Sequence, residues 1–387
     1  MLRNRILIGL CWLLSLVGIT FYGGNITYGL FIMITLLPVM SGVYLLFVYL
    51  RFSVYQRLEG KTFVTGHAIP YFFTLQNENH FAFAGVRVYF HSDFSSLFGL
   101  DEQSEYELLP GTGIEKDTVL ICRYRGSYEV GISMVEITDF LRLFRVRYHN
   151  REPLTVTVDP DIIPLKDAAG TRLARLLLRD SLRGENRPDI PVREYAPGDS
   201  IRSLQWKAIA REQKLLVRQY TGEQQESVGI LLSTFRRSDK AAEYLPIENR
   251  MLEIALSLSD YTTSHNIPTI SFTRTDALSV SRIDSHASFE GYYRSLCRLS
   301  YASAYRDEAL FTEAGRHEPL RSTGTVFMIL SEYTAEAEHF ASILSGNGTD
   351  VIIYLVTMDR SNAIPETSLS GVEIVSVTPD DRLQEVL

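Results

Sequence analysis

The first fifty residues carry a hydrophobic pattern with no polar face. Residues 6–49 include no charged side chain; residues 6–22 form one apolar run and residues 26–50 a second. A hydrocarbon core of about 30 Å is crossed by about 20 helical residues, with 17–25 as the working range. Both runs fall within it, and Gly23-Gly24-Asn25 between them is a turn signal. The pattern predicts a transmembrane helical hairpin, with Pro38 placed to kink the second helix. Arg3 and Arg5 also fit the opening of a secretory signal peptide, but no small-x-small cleavage site follows and a longer apolar run does. Arginines flank both outer ends and the turn is uncharged, so the positive-inside rule expects both termini and the soluble domains on the cytoplasmic side.

After residue 58 the period changes to two. Residues 86–91 and 131–138 alternate apolar and polar, 155–158 do so over a shorter length, and 118–124 are β-branched and aromatic. Turn residues separate them: Asn77 to Asn79, Pro110 to Gly113, Gly126 with Ser127. Short strands at this spacing predict a small β-sandwich over residues 59–158. Gly60-Lys61-Thr62 resembles the end of a phosphate loop, but Tyr55 stands where its first glycine belongs, which excludes it.

Residues 159–225 read as a basic connector. Arg172, Arg175, Arg179 and Arg183 share one helical face, opposite Leu173, Leu176 and Leu177. Two readings fit that strip: a solvated face, or a docking strip for an acidic partner or anionic lipid. Further on, Pro197-Gly198 signals a turn, Asp199 or Ser200 a helix N-cap, and Ile201, Leu204 and Ala208 one apolar stripe. A strand, a tight turn and a short amphipathic helix are expected. The density of Arg, Tyr and Trp there admits buried ion pairs or a recognition surface.

From residue 226 strands and helices alternate. Strands are expected at 228–233, 267–273, 278–283, 325–330, 350–356 and 372–377, and helices at 247–264, 289–301 and 335–344. This order predicts an α/β, doubly wound sheet over residues 226–387. In such sheets a site lies beyond the carboxyl ends of the strands, here near Ser233 and Ser331.

Composition narrows the function classes. The chain has 387 residues and a net charge of -8, so it is not a basic nucleic-acid binder. The charge is uneven: the hairpin is net positive with no acid, the connector is basic, and the α/β segment is strongly acidic. Cys11, Cys122 and Cys297 form no CxxC pair, which argues against a disulfide framework or a cysteine-rich zinc site. Cys297 lies beside Leu296 in a helical pattern and reads as a structural thiol rather than a nucleophile. There is no H-E-x-x-H, no G-x-S-x-G, no complete Walker A motif and no G-x-G-x-x-G after a strand.

The connector carries a family resemblance. Arg193, Tyr195, Pro197, Gly198, Asp199, Arg202, Leu204, Trp206, Ala210 and Arg211 fit the pattern R-x-Y-x-P-G-D-x-x-R-x-(I/L)-x-W-x-x-x-A-R. This resembles the signature of the domain-of-unknown-function 58 family. Residues 125–131 are similar to its R-G-x-Y-x-x-G element, and residues 139–144 to D-P-F-G-L-F, here Asp-Phe-Leu-Arg-Leu-Phe without the Pro and Gly. Two membrane helices at the N-terminus are also common in that family. The resemblance implies a membrane-anchored protein with a von Willebrand factor type A-like domain, often encoded beside a MoxR-type AAA+ ATPase and without established catalytic activity. Type A domains hold a divalent cation on Asp-x-Ser-x-Ser after the first strand. Here Ser233 stands for the Asp, and Phe235 and Arg237 for the two serines, so the metal site is degenerate and no cofactor is expected.

The combined expectation is a hairpin over 1–58, a β-sandwich over 59–158, the signature connector over 159–225 and a type A-like domain over 226–387. Its function would be that of a non-enzymatic interaction or assembly factor, with a MoxR-type ATPase and the bilayer (through residues 6–50) as partners. A metal-dependent type A-like receptor is the alternative.

Replacing Asp199 by Ala should remove an N-cap and cost about 0.5–2 kcal/mol. If Asp199 also neutralises a buried arginine, the loss should reach about 3–5 kcal/mol. Thermal melts of the protein distinguish these, and an unchanged melting temperature would exclude both roles.

Overall fold

A computed structural model describes residues 1–60, 62–98, 105–150, 152–165, 192–194, 214–218, 227–321, 323–359 and 371–387. The chain divides into two compact units, Met1–Asp161 and Ile162–Leu387.

The two apolar runs are helices α1 (Leu2–Tyr22) and α2 (Asn25–Arg51), both long and apolar enough to cross a membrane. They pack as an antiparallel hairpin. The Trp12 and Phe31 rings lie 5.8 Å apart, and Trp12 Nε1 donates to Thr35 Oγ1 at 3.0 Å. At 27 residues, α2 is about 40 Å long, some 10 Å more than a hydrocarbon core needs. The excess is its last two turns, where Leu45, Val48 and then Phe52 are buried in the core of the following β domain.

Eleven strands follow among the described residues. They are β1 (Ser53–Leu58), β2 (Phe63–Val64), β3 (Ala68–Asn77), β4 (Phe83–Phe90), β5 (Ser95–Phe98) and β6 (Glu105–Leu108). Then come β7 (Thr112–Cys122), β8 (Gly126–Val130), β9 (Ile132–Thr138), β10 (Arg145–His149) and β11 (Leu154–Asp159). They form three sheets, ordered β1-β3-β7-β5, β10-β9-β4-β6 and β2-β11-β8. Alternation sets which face is inside: Ile69, Tyr71, Phe73 and Leu75 of β3 meet Val86 and Val88 of β4 and Val135 and Ile137 of β9. The β domain therefore begins at Ser53, not at residue 59. β1 exposes Tyr55 and Arg57 and pairs along its whole length with β3.

The family-like elements in this unit have local physical causes. The 139–144 turn is built on Asp139, only 1% exposed. Its carboxylate accepts from the backbone N–H groups of Leu143 at 2.8 Å and Phe144 at 2.7 Å, from Leu141 at 3.2 Å, and from the Ser41 hydroxyl of α2. The same turn receives Asn4 Nδ2 at the Leu141 carbonyl (2.8 Å) and Arg5 Nε at the Leu143 carbonyl (2.7 Å), both from α1. Arg142, which stands where the family pattern has Gly, takes a left-handed backbone with φ 54°. In the R-G-x-Y-x-x-G element, Gly131 has φ 82°, and a Cβ there would lie 2.6 Å from Gln56 Oε1. That oxygen already accepts from Tyr71 Oη at 3.0 Å and the Ile132 N–H at 3.1 Å.

The second unit starts earlier than residue 226. Ile162, Ile163 and Leu165 pack against its core, and the Ile163 N–H donates to Ser257 Oγ at 3.2 Å. Strands β12 (Val192–Glu194) and β13 (Leu216–Arg218) pair antiparallel. The main sheet comprises β14 (Ser227–Leu232), β15 (Thr269–Arg274), β16 (Leu278–Ile283), β17 (Thr323–Leu330), β18 (Asp350–Val356) and β19 (Val372–Val377). Its order is β16-β15-β14-β17-β18-β19, parallel except for the edge strand β16. Helices cover both faces. Among the described residues after β14 these are α3 (Ala241–Ser264), α4 (His286–Cys297), α5 (Asp307–Ala314), α6 (Glu318–Arg321), α7 (Ala335–Gly346) and α8 (Leu383–Val386). One core holds Ile230, Leu232, Phe327 and Ile329 against α3 and α4; the other holds Leu231, Val326, Met328 and Leu330 against α5 and α7. Neighbouring residues along β14 and β17 thus enter opposite cores, and the two-sided burial gives those strands their continuous apolar sequence.

The limits of α3 and α4 differ most from the sequence pattern. α3 starts at Ala241, ahead of Pro246, because Glu243 in its first turn accepts from Ser238 Oγ (2.7 Å) and Lys240 Nζ (3.0 Å). α4 begins on a capping box formed by Ser285 and Ser288 and stops at Cys297 rather than at residue 301. The released segment leads to Ala302, which bridges to Phe235.

Arg142→Gly and Arg142→Ala both remove the ion pair from Arg142 to Glu105 (2.9 Å), so their difference isolates the backbone. The Gly variant should be the more stable by about 1 kcal/mol, since only glycine adopts positive φ without steric cost. Thermal denaturation of the two variants in the same detergent checks this.

Candidate functional site

β14 and β17 are parallel neighbours with Leu232 opposite Ile329, so their carboxyl ends finish at the same edge of the sheet. Ser233–Arg236 leaves the first and Ser331–Glu332 the second. Asp307, the first residue of α5, is brought alongside. Ser233 is fully buried, and its hydroxyl donates to Asp307 Oδ1 at 2.6 Å while accepting from the Phe235 N–H at 3.1 Å. Ser331 Oγ donates to the Phe235 carbonyl at 3.3 Å. Thr234 turns the other way, its hydroxyl held by the Arg274 carbonyl at the end of β15. The chain is pinned once more across Ala302, whose N–H donates to the Thr234 carbonyl and whose carbonyl accepts from Arg236, both at 3.2 Å.

The electrostatics follow from this packing. Burial pushes the Asp307 carboxyl up to about 6; the Ser233 hydrogen bond opposes the rise and the charge of Glu332 adds to it. Arg236 leaves the strand ends and forms a two-pronged pair with Glu248 of α3, at 2.6 and 3.1 Å. Its guanidinium also lies 3.8 Å from the Tyr244 ring centroid. The net effect raises the Arg236 pKa: burial is the largest influence and lowers it, but Glu248 outweighs that. Arg237 is exposed, and Arg306 lies 5.2 Å over the Phe235 ring. The edge therefore presents Phe235 flanked by Arg237 and Arg306, above a buried hydroxyl–carboxyl pair.

Of Ser233, Phe235 and Arg237, only Ser233 offers a side-chain oxygen, and that oxygen is engaged by Asp307. Phe235 and Arg237 offer none. Among the described residues no three His, Cys, Asp or Glu side chains converge. A hard cation needs six or more oxygens, so the residues at these three positions do not fit one. Ser233 has no accessible surface, which keeps its hydroxyl from a substrate.

Asp307 is the member of this cluster that sequence reasoning passed over. The signal was slight: Asp307-Glu308 in the first turn of an eight-residue helix, with no apolar period long enough to announce it. Of the signature residues, Arg193 lies in β12, paired in register with Val217 of β13. Tyr195, Pro197, Gly198, Asp199, Arg202, Leu204, Trp206, Ala210 and Arg211 lie outside the described residues, as does the Arg172–Arg183 strip.

Residues 191–374 match the model of a family described as "Protein of unknown function DUF58", which supports the resemblance carried by the signature. No curated protein matches the chain. Solved structures with weak similarity include a GH20 exo β-N-acetylglucosaminidase from Vibrio harveyi with N-acetylglucosamine, at 10% identity and a TM-score of 0.16. Its D437A inactive mutant gives 11% and 0.15. In both, the aligned region covers 80% of this chain and 57% of the other. The chain thus spans little more than half the length of these structures, and the likeness is too low to bear on fold or activity.

The raised carboxyl sets a sign for pH dependence. Asp307 binds its proton more tightly in the folded state, so its stabilising contribution is complete below about pH 4 and is lost as pH rises through about 6. Asp307→Asn should abolish that loss. Between pH 4.5 and 7 the wild type should fall relative to the variant by roughly 1–3 kcal/mol. Melting temperatures of both proteins across that range are the measurement, and parallel curves would show that Asp307 has no such shift.

Proposed function

We propose, from the match over residues 191–374 and the two N-terminal helices, that the chain is a membrane-anchored, non-enzymatic interaction or assembly factor. Its α/β unit is read as a von Willebrand type A-like domain. In chain order its strands run 3-2-1-4-5-6 with the third antiparallel, and helices lie on both faces. The observation that carries the function is the state of the strand ends. Where a type A domain offers hydroxyls to a cation, this chain offers an aromatic ring and exposed guanidinium groups, with its one remaining serine sealed beneath them. Such an edge suits direct docking of an acidic protein surface, an arginine serving where an ion would bridge. By the family resemblance, the partner proposed is a MoxR-type AAA+ ATPase.

A metal-dependent receptor has one specific point in its favour: Asp307 restores a carboxylate beside Ser233, with Glu332 near. Calorimetry with Mg²⁺ and Mn²⁺ separates the readings. No site tighter than about 100 µM, roughly 5.5 kcal/mol, is expected, and a one-to-one site above that affinity would favour the receptor.

Two outcomes are expected of the favoured reading. Arg237→Glu should weaken binding to a purified MoxR-type ATPase by at least about tenfold, or about 1.4 kcal/mol, without lowering the melting temperature, because Arg237 is exposed. Unaltered binding would remove the strand ends from the interface. For topology, with Cys11, Cys122 and Cys297 replaced, an impermeant thiol reagent added to intact cells should label a cysteine at position 25 and not one at position 385. Labelling at 385 would reverse the orientation.

A further inference from the structure

Where the hairpin meets the β domain, α1, α2 and the 139–144 turn enclose a cleft of about 370 Å³. Arg5, Gly9 and Trp12 form its α1 wall, Thr35 and Pro38 its α2 wall, and Phe144 the side toward the turn. The cleft has a polar end and an apolar body. At the polar end the Arg5 guanidinium is fixed in place, since its Nε donates to the Leu143 carbonyl at 2.7 Å. A guanidinium has five N–H donors, so four remain on its two terminal nitrogens. At the other end the bond from Trp12 to Thr35 closes the slot. Arg5 and Trp12 are seven residues apart, about 10 Å along a helix.

Gly9 makes the slot: nothing lies within 4 Å of the position its Cβ would take. The surroundings set the depth of this feature in a bilayer. Arg3 and Arg5 stand at the helix start, where cations flank a span, and the apolar rings of Phe140 and Phe144 in the adjoining turn are 55% and 38% exposed. Residues 1–58 contain no acidic side chain, so no intramolecular carboxylate from that segment neutralises Arg5. An immobilised cation at headgroup level above an apolar slot of about 10 Å matches a phosphate with the upper half of one acyl chain.

We propose that this cleft is a specific site for one anionic phospholipid, with the lipid phosphate on Arg5 and an acyl chain seated over Gly9 and against Pro38. The site rests on the membrane-anchor reading given above. It differs from the general lipid annulus by combining a fixed donor with a shaped slot. Lipid bound there would also brace the turn that receives both helices.

The test is native mass spectrometry of the full chain, purified from membranes in mild detergent and titrated with phosphatidylglycerol or phosphatidylcholine. The wild type should retain one phosphatidylglycerol at least about tenfold more tightly than phosphatidylcholine, a difference of about 1.4 kcal/mol. Gly9→Leu has room for its Cβ, with nothing within 4 Å, places its side chain in the slot and should lose that retained lipid. Arg5→Gln should bind both lipids alike. Gly29→Leu, on the hairpin but outside the cleft, should behave as wild type. Glycerol phosphate should not displace the lipid, and displacement would overturn the acyl-chain part of the site. Equal binding of the two lipids by the wild type, or unchanged retention by Gly9→Leu, would overturn the proposal and leave only annular lipid. Release of the wild type from membranes by alkaline carbonate would instead overturn the membrane anchor itself.

Discussion

The buried carboxylate of Asp139 organises the first unit. A carboxylate out of water is costly unless its oxygens are satisfied, and here three backbone N–H groups and the Ser41 hydroxyl do so. Those bonds fold residues 139–144 into a tight turn, and the turn in turn presents carbonyls to Asn4 and Arg5. One buried charge therefore connects both helices of the hairpin to the β domain. The last turns of α2 reinforce the joint by burying Leu45, Val48 and Phe52 in the same core as β3, β4 and β9. Removing the Asp139 carboxylate would strand the turn's N–H groups as well as the Ser41 hydroxyl, which makes this position more sensitive than any exposed ion pair on the β domain.

Elsewhere on that domain charge is used differently. Glu136 of β9 is 2% exposed and sits across the ladder from Arg147 of β10 and Arg87 of β4. It pairs with Arg145 at 3.1 Å, while Arg87 pairs with Glu105 of β6 at 3.0 Å. Alternating signs thus run across four neighbouring strands on one face. Such cross-strand pairs favour the observed register, because a slip of one residue would carry the charges to the apolar face.

In the second unit the constraint is the two-sided sheet. Parallel strands buried on both faces leave function to the segments beyond their ends, and here those segments hold Ser233, Asp307, Ser331 and the flanking arginines. The site is a buried hydroxyl bonded to a half-buried carboxyl, beside a ring and guanidinium groups. Burial pushes the Asp307 carboxyl up to about 6, while Arg237 stays exposed on the same edge.

The sequence by itself determined the elements whose physics is local. The uncharged runs specified α1 and α2, and the period of two specified β4, β9 and β11. The continuous apolar runs specified β14, β17 and β18, since burial on both faces leaves no polar position. The signature from Arg193 to Arg211 carried the family likeness unaided, because a spaced motif is legible residue by residue along the chain. Tertiary structure decided whatever depends on partners distant in sequence. That α2 extends beyond a bilayer's thickness was countable, but that its end would plug the β domain was not, because Leu45 and Val48 look like any lipid-facing residues. Asp307 could not be chosen from the sequence as Ser233's partner, 74 residues away, since the contact exists only where α5 meets the end of β14. That Arg236 turns away from the strand ends to pair with Glu248 of α3 was also decided only by packing. The cleft beneath Arg5 is likewise made by three segments, none of them distinctive in sequence, which only packing brings to one place.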